Sequence, residues 1–166
     1  MWKEISEYFK RYPAQEKVAD LLMEYGLRVR PEGIFCGDIK IPEQAVADAI
    51  KGDRRMVSAT VNTILRNPKL SRIFSKLLPT AHLKDIAPDL GWGVLDVAIG
   101  SETDRPGLLA NIVDIISTFN VNIKQVVVED VETPVVHVVI ITETPIPGDS
   151  LHKIRAVKGV KSVTLY

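Results

Sequence analysis

The feature that most limits how this chain can fold is a hydrophobic period that switches repeatedly after Gly93. "VLDVAIGS" alternates, with Leu95, Val97 and Ile99 on one side of an extended segment and Val94, Asp96, Ala98 and Gly100 on the other. That pattern predicts a half-buried strand. Downstream, Leu108, Leu109, Ile112, Ile115, Ile116 and Phe119 recur at helical spacing, separated by Asn111, Asp114, Ser117 and Thr118. They predict an amphipathic helix of about three turns, ended by "NVN". "IKQVVVEDV" and "PVVHVVIITE" follow as two β-branched runs expected to form a hairpin through "VETP". "GDSLHKIRAV" predicts a short helix with Leu151, Ile154 and Val157 inward, and "GVKSVTLY" a last strand. The order strand, helix, strand, strand, helix, strand is that of a ferredoxin-like βαββαβ domain: an antiparallel sheet with both helices on one face. Many unrelated functions use this arrangement, so the role must be sought in a site.

The first connection holds the chemistry. In "SETDRPGLLANIVDIISTFNVNI" two structure breakers stand directly before the helix. Asp104 is placed to cap that helix, Pro106 suits its first turn because it lacks an N–H, and Gly107 lets the backbone pass tightly. The stretch resembles the signature of ACT domains, small regulatory modules that commonly sense amino acids. The resemblance covers residues 94–166 through the Asp-Arg-Pro-Gly turn, the apolar helix and the Asn-Ile opening the second strand. It implies an amino-acid site built from Asp104, Arg105, Pro106, Gly107, Leu108 and Asn122, with the asparagine closing the site across a subunit interface. A zwitterion needs donors for its carboxylate and acceptors for its ammonium; a helix N-terminus supplies the first and an asparagine can do both. Some family members carry a histidine where this chain has Glu102, and a carboxylate there favours a cationic group. The same residues also suit a purely structural part: a cap, a tight turn and a satisfied strand entrance, in a module that only dimerises. A homodimer or higher homo-oligomer is expected in either case, because edge strands as apolar as these are usually covered by another chain.

The first half reads differently. Trp2, Ile5 and Phe9 form one helical stripe, interrupted at Pro13, and Val18, Leu21, Leu22 and Tyr25 form another, stopped by Gly26. "LRVRPEGIFCGDIKI" predicts a short hairpin turning at Pro31-Glu32-Gly33. Two helical patterns follow: "PEQAVADAI", with Val46, Ala49 and Ile50 inward, and "RRMVSATVNTILRN", with Val57, Val61, Ile64 and Leu65 inward. The turn "KGD" joins them. The outer stripe of the second is Arg55, Ser58, Ala59, Asn62 and Arg66: small, polar and basic, as a helix entering a major groove requires. We therefore expect a helix-turn-helix or winged-helix-like domain. Lys51, Arg54, Arg55, Ser58, Asn62 and Arg66 are its candidate DNA contacts, with Lys69 and Arg72 gripping the backbone. The alternative is a helical domain with a solvated basic face.

Charge gives the DNA expectation its weight. The chain is neutral overall, yet residues 1–90 carry 15 Lys/Arg against 12 Asp/Glu while 91–166 carry 6 against 9. Between residues 51 and 76 seven basic side chains face only Asp53. "NPKLSRIFSKLL" adds a packing helix through Leu70, Ile73, Phe74 and Leu77.

The expected architecture is α+β: a mostly helical domain over 1–78, a linker over 79–93 in which Trp92 serves as an interface anchor, and the ACT-like domain over 94–166. As a whole the chain resembles small archaeal-type predicted regulators of amino-acid metabolism. Cys36 is alone, so no disulfide or CxxC site is expected. His82, His137 and His152 are scattered without metal-ligand spacing, no phosphate-cradling glycine loop is present, and Asp96 and Asp114 are not visibly paired. Neither a metal, a cofactor nor an enzymatic activity is expected, and His137 reads as a satisfied structural histidine. The N-terminus lacks a signal layout, and "PVVHVVII" is far short of the roughly 20 residues a membrane span needs, which places the protein in the cytoplasm. The functional expectation is an amino-acid-responsive transcriptional regulator. Its alternative is a regulatory or dimerisation subunit of a biosynthetic enzyme that never touches DNA.

Overall fold

Apolar residues three and four positions apart build the first unit. The computed structural model describes residues 3–100, 106–129 and 135–166. The chain divides into two units, Met1–Ala81 and His82–Tyr166. The first runs α1 (Lys3–Ser6), α2 (Pro13–Glu24), β1 (Arg28–Arg30), β2 (Gly33–Cys36), β3 (Ile39–Ile41), α3 (Glu43–Ala49), α4 (Arg54–Arg66) and α5 (Pro68–Phe74). Phe9, Leu22, Ile34, Ile64, Leu70 and Phe74 are its fully buried large side chains. Gly26 ends α2 at φ 61°, and a Cβ there would also overlap the carbonyl of Leu78. Both constraints demand glycine.

The expected hairpin is a three-stranded antiparallel meander in the order β1-β2-β3. Pro31-Glu32 makes the first turn, between paired Arg30 and Gly33, and Gly37-Asp38 the second, between Cys36 and Ile39. A strand as short as β3 shows no alternation to read. Its Ile39 is exposed, and the half-buried Arg28 guanidinium holds the second turn through Gly37 O and Asp38. In α3 the buried pair is Val46 and Ala47, not Val46 and Ala49. That helix closes at Lys51 (φ 53°), with the Gly52 N–H bonded to the Ala47 carbonyl at 2.8 Å. Asp53 then caps α4 by accepting the Arg55 N–H.

Among its described residues the second unit runs through a 3-10 turn (Pro88–Leu90) and then β4 (Gly93–Gly100), α6 (Leu108–Ser117), β5 (Ile123–Glu129), β6 (Val135–Thr142), α7 (Asp149–Arg155) and β7 (Val160–Leu165). The sheet order is β5-β6-β4-β7 with antiparallel neighbours throughout, the ferredoxin-like arrangement that the sequence predicts. Leu95, Val97, Ile99, Val138 and Ile140 pack beneath Ile112, Ile116 and Ile154 of the helices. The "VETP" turn lies outside the described residues.

Two expectations fail here. The strand predicted as half-buried is buried on both faces along all eight residues of β4. Its second cover is part of the segment expected as a linker. Residues 82–93 belong to the second unit, where Ala87, Leu83 and Trp92 pack on Val94, Val139 and Ile141. Trp92 is half-buried in its own unit. Leu83, Ile86, Ala87 and Leu90 do fall at helical spacing, but Pro88 and Gly91 interrupt the run, and those breakers made the segment read as a linker. No helix among the described residues is long and apolar enough to cross a membrane.

Candidate functional site

The turn before α6 differs from its expected geometry. Gly107 (φ 94°) is the N-cap, no side chain among the described residues caps the helix, and the first helical residue is Leu108. Pro106 therefore precedes the helix, and Gly107 takes the cap position expected for Asp104. The left-handed φ explains both, because the chain turns at Gly107 and the helix can start only after it. Glu102, Asp104 and Arg105 lie outside the described residues. The first helical bond runs from the Asn111 N–H to the Gly107 carbonyl at 3.0 Å, so the N–H groups of Leu108, Leu109 and Ala110 face out of the helix end.

Beside that end opens a cleft of about 360 Å³ lined by Ile99, Pro106, Gly107, Leu108, Leu109, Val128, Val136 and Val138. Among the described residues that line it, none is charged. Val126, Val128 and Leu109 continue the apolar surface onto the exposed edge, with Val128 56% exposed. A Cβ on Gly107 would meet nothing within 4 Å, so conformation alone requires glycine there.

Asn122 is not at this cleft. The register pairs Gly100 with Val135 at the cleft end of the sheet and joins Gly93, Thr142 and Ile123 at the other. Seven residue steps along β4 place the two ends about 23 Å apart. At its own end the Asn122 amide donates to Glu143 Oε2 (2.9 Å), and Lys124 Nζ meets Glu143 Oε1 (3.0 Å). The Asn122 hydrogen bond, then Lys124, hold the Glu143 carboxyl below its ordinary value. Within one chain, then, Gly107 and Asn122 are not brought together.

The outer face of the sheet carries a cluster that sequence reasoning did not assemble. Asp96 Oδ2 meets Lys84 Nζ at 2.7 Å, and Asp96 Oδ1 meets His137 Nδ1 at 2.8 Å. His82 Nε2 lies 3.0 Å from Glu129 Oε1, and the Leu83 N–H donates to Gln125 Oε1 at 3.1 Å. Burial is the largest influence on Asp96 and pushes its carboxyl up. The hydrogen bonds and charges of Lys84 and His137 together outweigh it, and the carboxyl sits below its ordinary value. The bond to Asp96 in turn raises the Lys84 ammonium. His137 is thus satisfied, as expected, by a partner that the register supplies: it pairs with Ala98 while Asp96 pairs with Val139, a diagonal on one face. A carboxylate in the middle of an aliphatic strand was the available signal. Among the described residues no group of three or more His, Cys, Asp or Glu is placed to hold a metal ion.

In the first unit, residues 50–53 join α3 and α4, and α4 turns Arg54, Arg55, Asn62 and Arg66 to solvent, beside exposed Lys51. Arg55 is 95% exposed at its side chain. Ser58 and Arg54 are both drawn to Glu43 of α3: the Ser58 hydroxyl donates to Glu43 Oε2 at 2.5 Å and Arg54 Nε lies 3.4 Å from it. Of the six candidate DNA contacts, these two share one intramolecular carboxylate. Lys69 likewise pairs with Glu4 at 3.3 Å. Glu43 was legible as an acidic residue but not as their partner, since fifteen residues separate it from Ser58.

No family model matches the chain, and no curated protein matches it. Solved structures do. One is the ACT domain of the GTP pyrophosphokinase of Chlorobium tepidum, at 20% identity over 45% of this chain and 96% of that one, TM-score 0.35. Another is the C-terminal domain of the MgtC protein of Mycobacterium tuberculosis, at 13% identity over 45% and 84%, TM-score 0.37. A homoserine dehydrogenase of Thiobacillus denitrificans matches at 18% identity over 69% of this chain and 28% of that one, TM-score 0.36.

Proposed function

We propose that this protein is an amino-acid-responsive regulator acting in the cytoplasm as a homo-oligomer, a binding protein and not a catalyst. The observation that carries the reading is the aliphatic cleft at the start of α6, where a left-handed glycine leaves outward N–H groups beside an apolar hollow. Those donors suit a carboxylate, and the hollow suits a small apolar side chain. The ammonium needs an acceptor, which falls to the turn carrying Glu102 and Asp104 or to Asn122. Because Asn122 lies at the far end of its own sheet, its part in the site comes from a second copy. The exposed β5 edge, with Val126 and Val128 beside the cleft, is where that copy would pair.

The ligand's effect would be read by the first unit as DNA binding through Lys51, Arg55, Asn62 and Arg66, with Arg54 and Ser58 joining only if Glu43 releases them. The hold of Glu43 on those two residues favours a second reading, a regulatory subunit that docks on an enzyme and leaves DNA alone.

Thermal shift against the proteinogenic amino acids tests the sensor. Saturating ligand at a hundredfold excess over Kd stabilises by about 2.7 kcal/mol, and Val128→Asp, which places a charge in the hollow, abolishes the shift. An unmoved melting point for every amino acid, or a shift that survives Val128→Asp, refutes the site. Gel mobility shift on genomic fragments at several salt concentrations tests the DNA arm: binding weakens with salt and is lost in Arg55→Glu. Salt-insensitive binding, or none, leaves the docking reading.

A further inference from the structure

The strap formed by residues 82–92 has two unequal halves. Its later half is anchored by apolar burial, with Ala87 fully buried and Trp92 packed beside Val94, Val139 and Ile141. Its first half adds to the packing of the Leu83 side chain three polar holds: His82 on Glu129, the Leu83 N–H on Gln125, and Lys84 on Asp96. Ile86, between the halves, is exposed. Apolar burial comes apart only with the core, whereas the partly exposed His82–Glu129 pair and the single Leu83–Gln125 hydrogen bond can break without it; the half-buried Lys84–Asp96 pair is the firmest of the three polar holds. The strap is therefore built to open from its first residues, those that continue directly from the first unit.

Two of the three holds, Gln125 and Glu129, stand on β5, and β5 also borders the cleft. Its side chains alternate. Gln125 and Glu129 face the strap, while Val126 and Val128 point to the helix side, where Val128 lines the cleft. Within the chain β5 is the edge strand of the sheet, next to β6. One strand thus touches the ligand hollow with one face and the strap with the other.

We propose that His82 to Lys84 form a releasable clasp on β5 and Asp96 whose hold depends on occupancy of the cleft, so that the strap carries the state of the cleft toward the first unit. This rests on the reading of the cleft as a ligand site. A ligand that binds the clasped and released arrangements unequally shifts their populations, and the clasp must alter ligand affinity by the same factor. The charged groups facing the clasp are Glu129 toward His82 and Lys84, Asp96 toward Lys84 and His137, and Tyr166 toward Lys84. Loss of either carboxylate is felt at the strap without touching the cleft lining.

Amide hydrogen exchange on the full chain tests the coupling in two arms. Without ligand, the double variant Gln125→Ala, Glu129→Gln speeds exchange at residues 83–87 by about tenfold and also speeds Val126, Val128 and Asn111 on the cleft side by about threefold, leaving α7 unchanged. The single variant Glu129→Gln, nearly isosteric and on the rim, gives the same pattern more weakly and guards against a folding defect. Faster strap exchange with an unchanged cleft side makes the strap a passive cover and overturns the proposal, as does an unchanged strap. With L-valine and L-isoleucine as probes, a ligand that shifts the melting point must also change exchange at residues 83–87 and bind the double variant with altered Kd. Binding with neither effect overturns the coupling and leaves the sensor standing. If neither probe binds, that side chain class fails for the sensor and the ligand-free arm alone decides the clasp.

Discussion

The two faces of the second unit's sheet are covered by different means. On one, α6 and α7 lay an apolar layer over Leu95, Val97 and Ile99. On the other, a strap that forms no α-helix or strand lies over Val94, Val139 and Ile141 and is tied down by Lys84, His82 and their carboxylates. The contrast separates permanence from control. Aliphatic packing is insensitive to pH and salt, whereas the ionic holds respond to both.

The largest effect should come from the helix face. Ile112→Ala removes a fully buried side chain from that layer and is expected to cost about 2–5 kcal/mol in denaturant unfolding, nearly independent of pH and salt. A cost below about 1 kcal/mol would mean that the helix layer is not the firm one.

Asp96→Asn, on the other face, should cost about 1–3 kcal/mol, because the half-buried Lys84 loses its partner. The sign of its pH dependence follows from the direction of the shift. The folded carboxyl lies below its ordinary value of 3.8, so the stability that it contributes is fully present above 3.8 and disappears as pH falls through the lower folded value. The raised Lys84 ammonium behaves oppositely, its contribution being complete below 10.5 and lost as pH climbs through the higher folded value. Wild type and Asp96→Asn should therefore converge in strong acid; parallel curves down to the lowest measurable pH would contradict the pairing.

Glu129→Gln is expected to be the mildest, about 0–1 kcal/mol, since His82 and Glu129 are both partly exposed. Raising ionic strength should erase most of that difference, as the Debye length shrinks to about 3 Å at 1 M salt. A cost that persists in high salt would place the pair among the permanent contacts instead.

Much of this molecule was legible before any coordinates. The order of elements after Gly93 followed from periodicity, because a strand and a helix that bury one face must each show it. Gly26 and Pro31-Glu32 announced a helix stop and a turn by their own local chemistry, and "KGD" the turn between α3 and α4. Short or irregular pieces escaped. β3 has three residues, too few to show an alternation, and in the strap Pro88 and Gly91 interrupt the helical spacing of Leu83, Ile86, Ala87 and Leu90.

What the sequence determined by itself was therefore local: which segments are helix and strand, where they turn, and that Gly107 must hold a conformation other residues resist. Tertiary structure decided which side chains meet. Only the register of β4 and β6 brings His137 to Asp96, only the packing of α3 on α4 gives Ser58 and Arg54 a common carboxylate, and only the sheet's length separates Asn122 from Gly107. Local propensities act over a few residues, whereas these pairings span between 11 and 41 and depend on how faces already formed come to rest on one another.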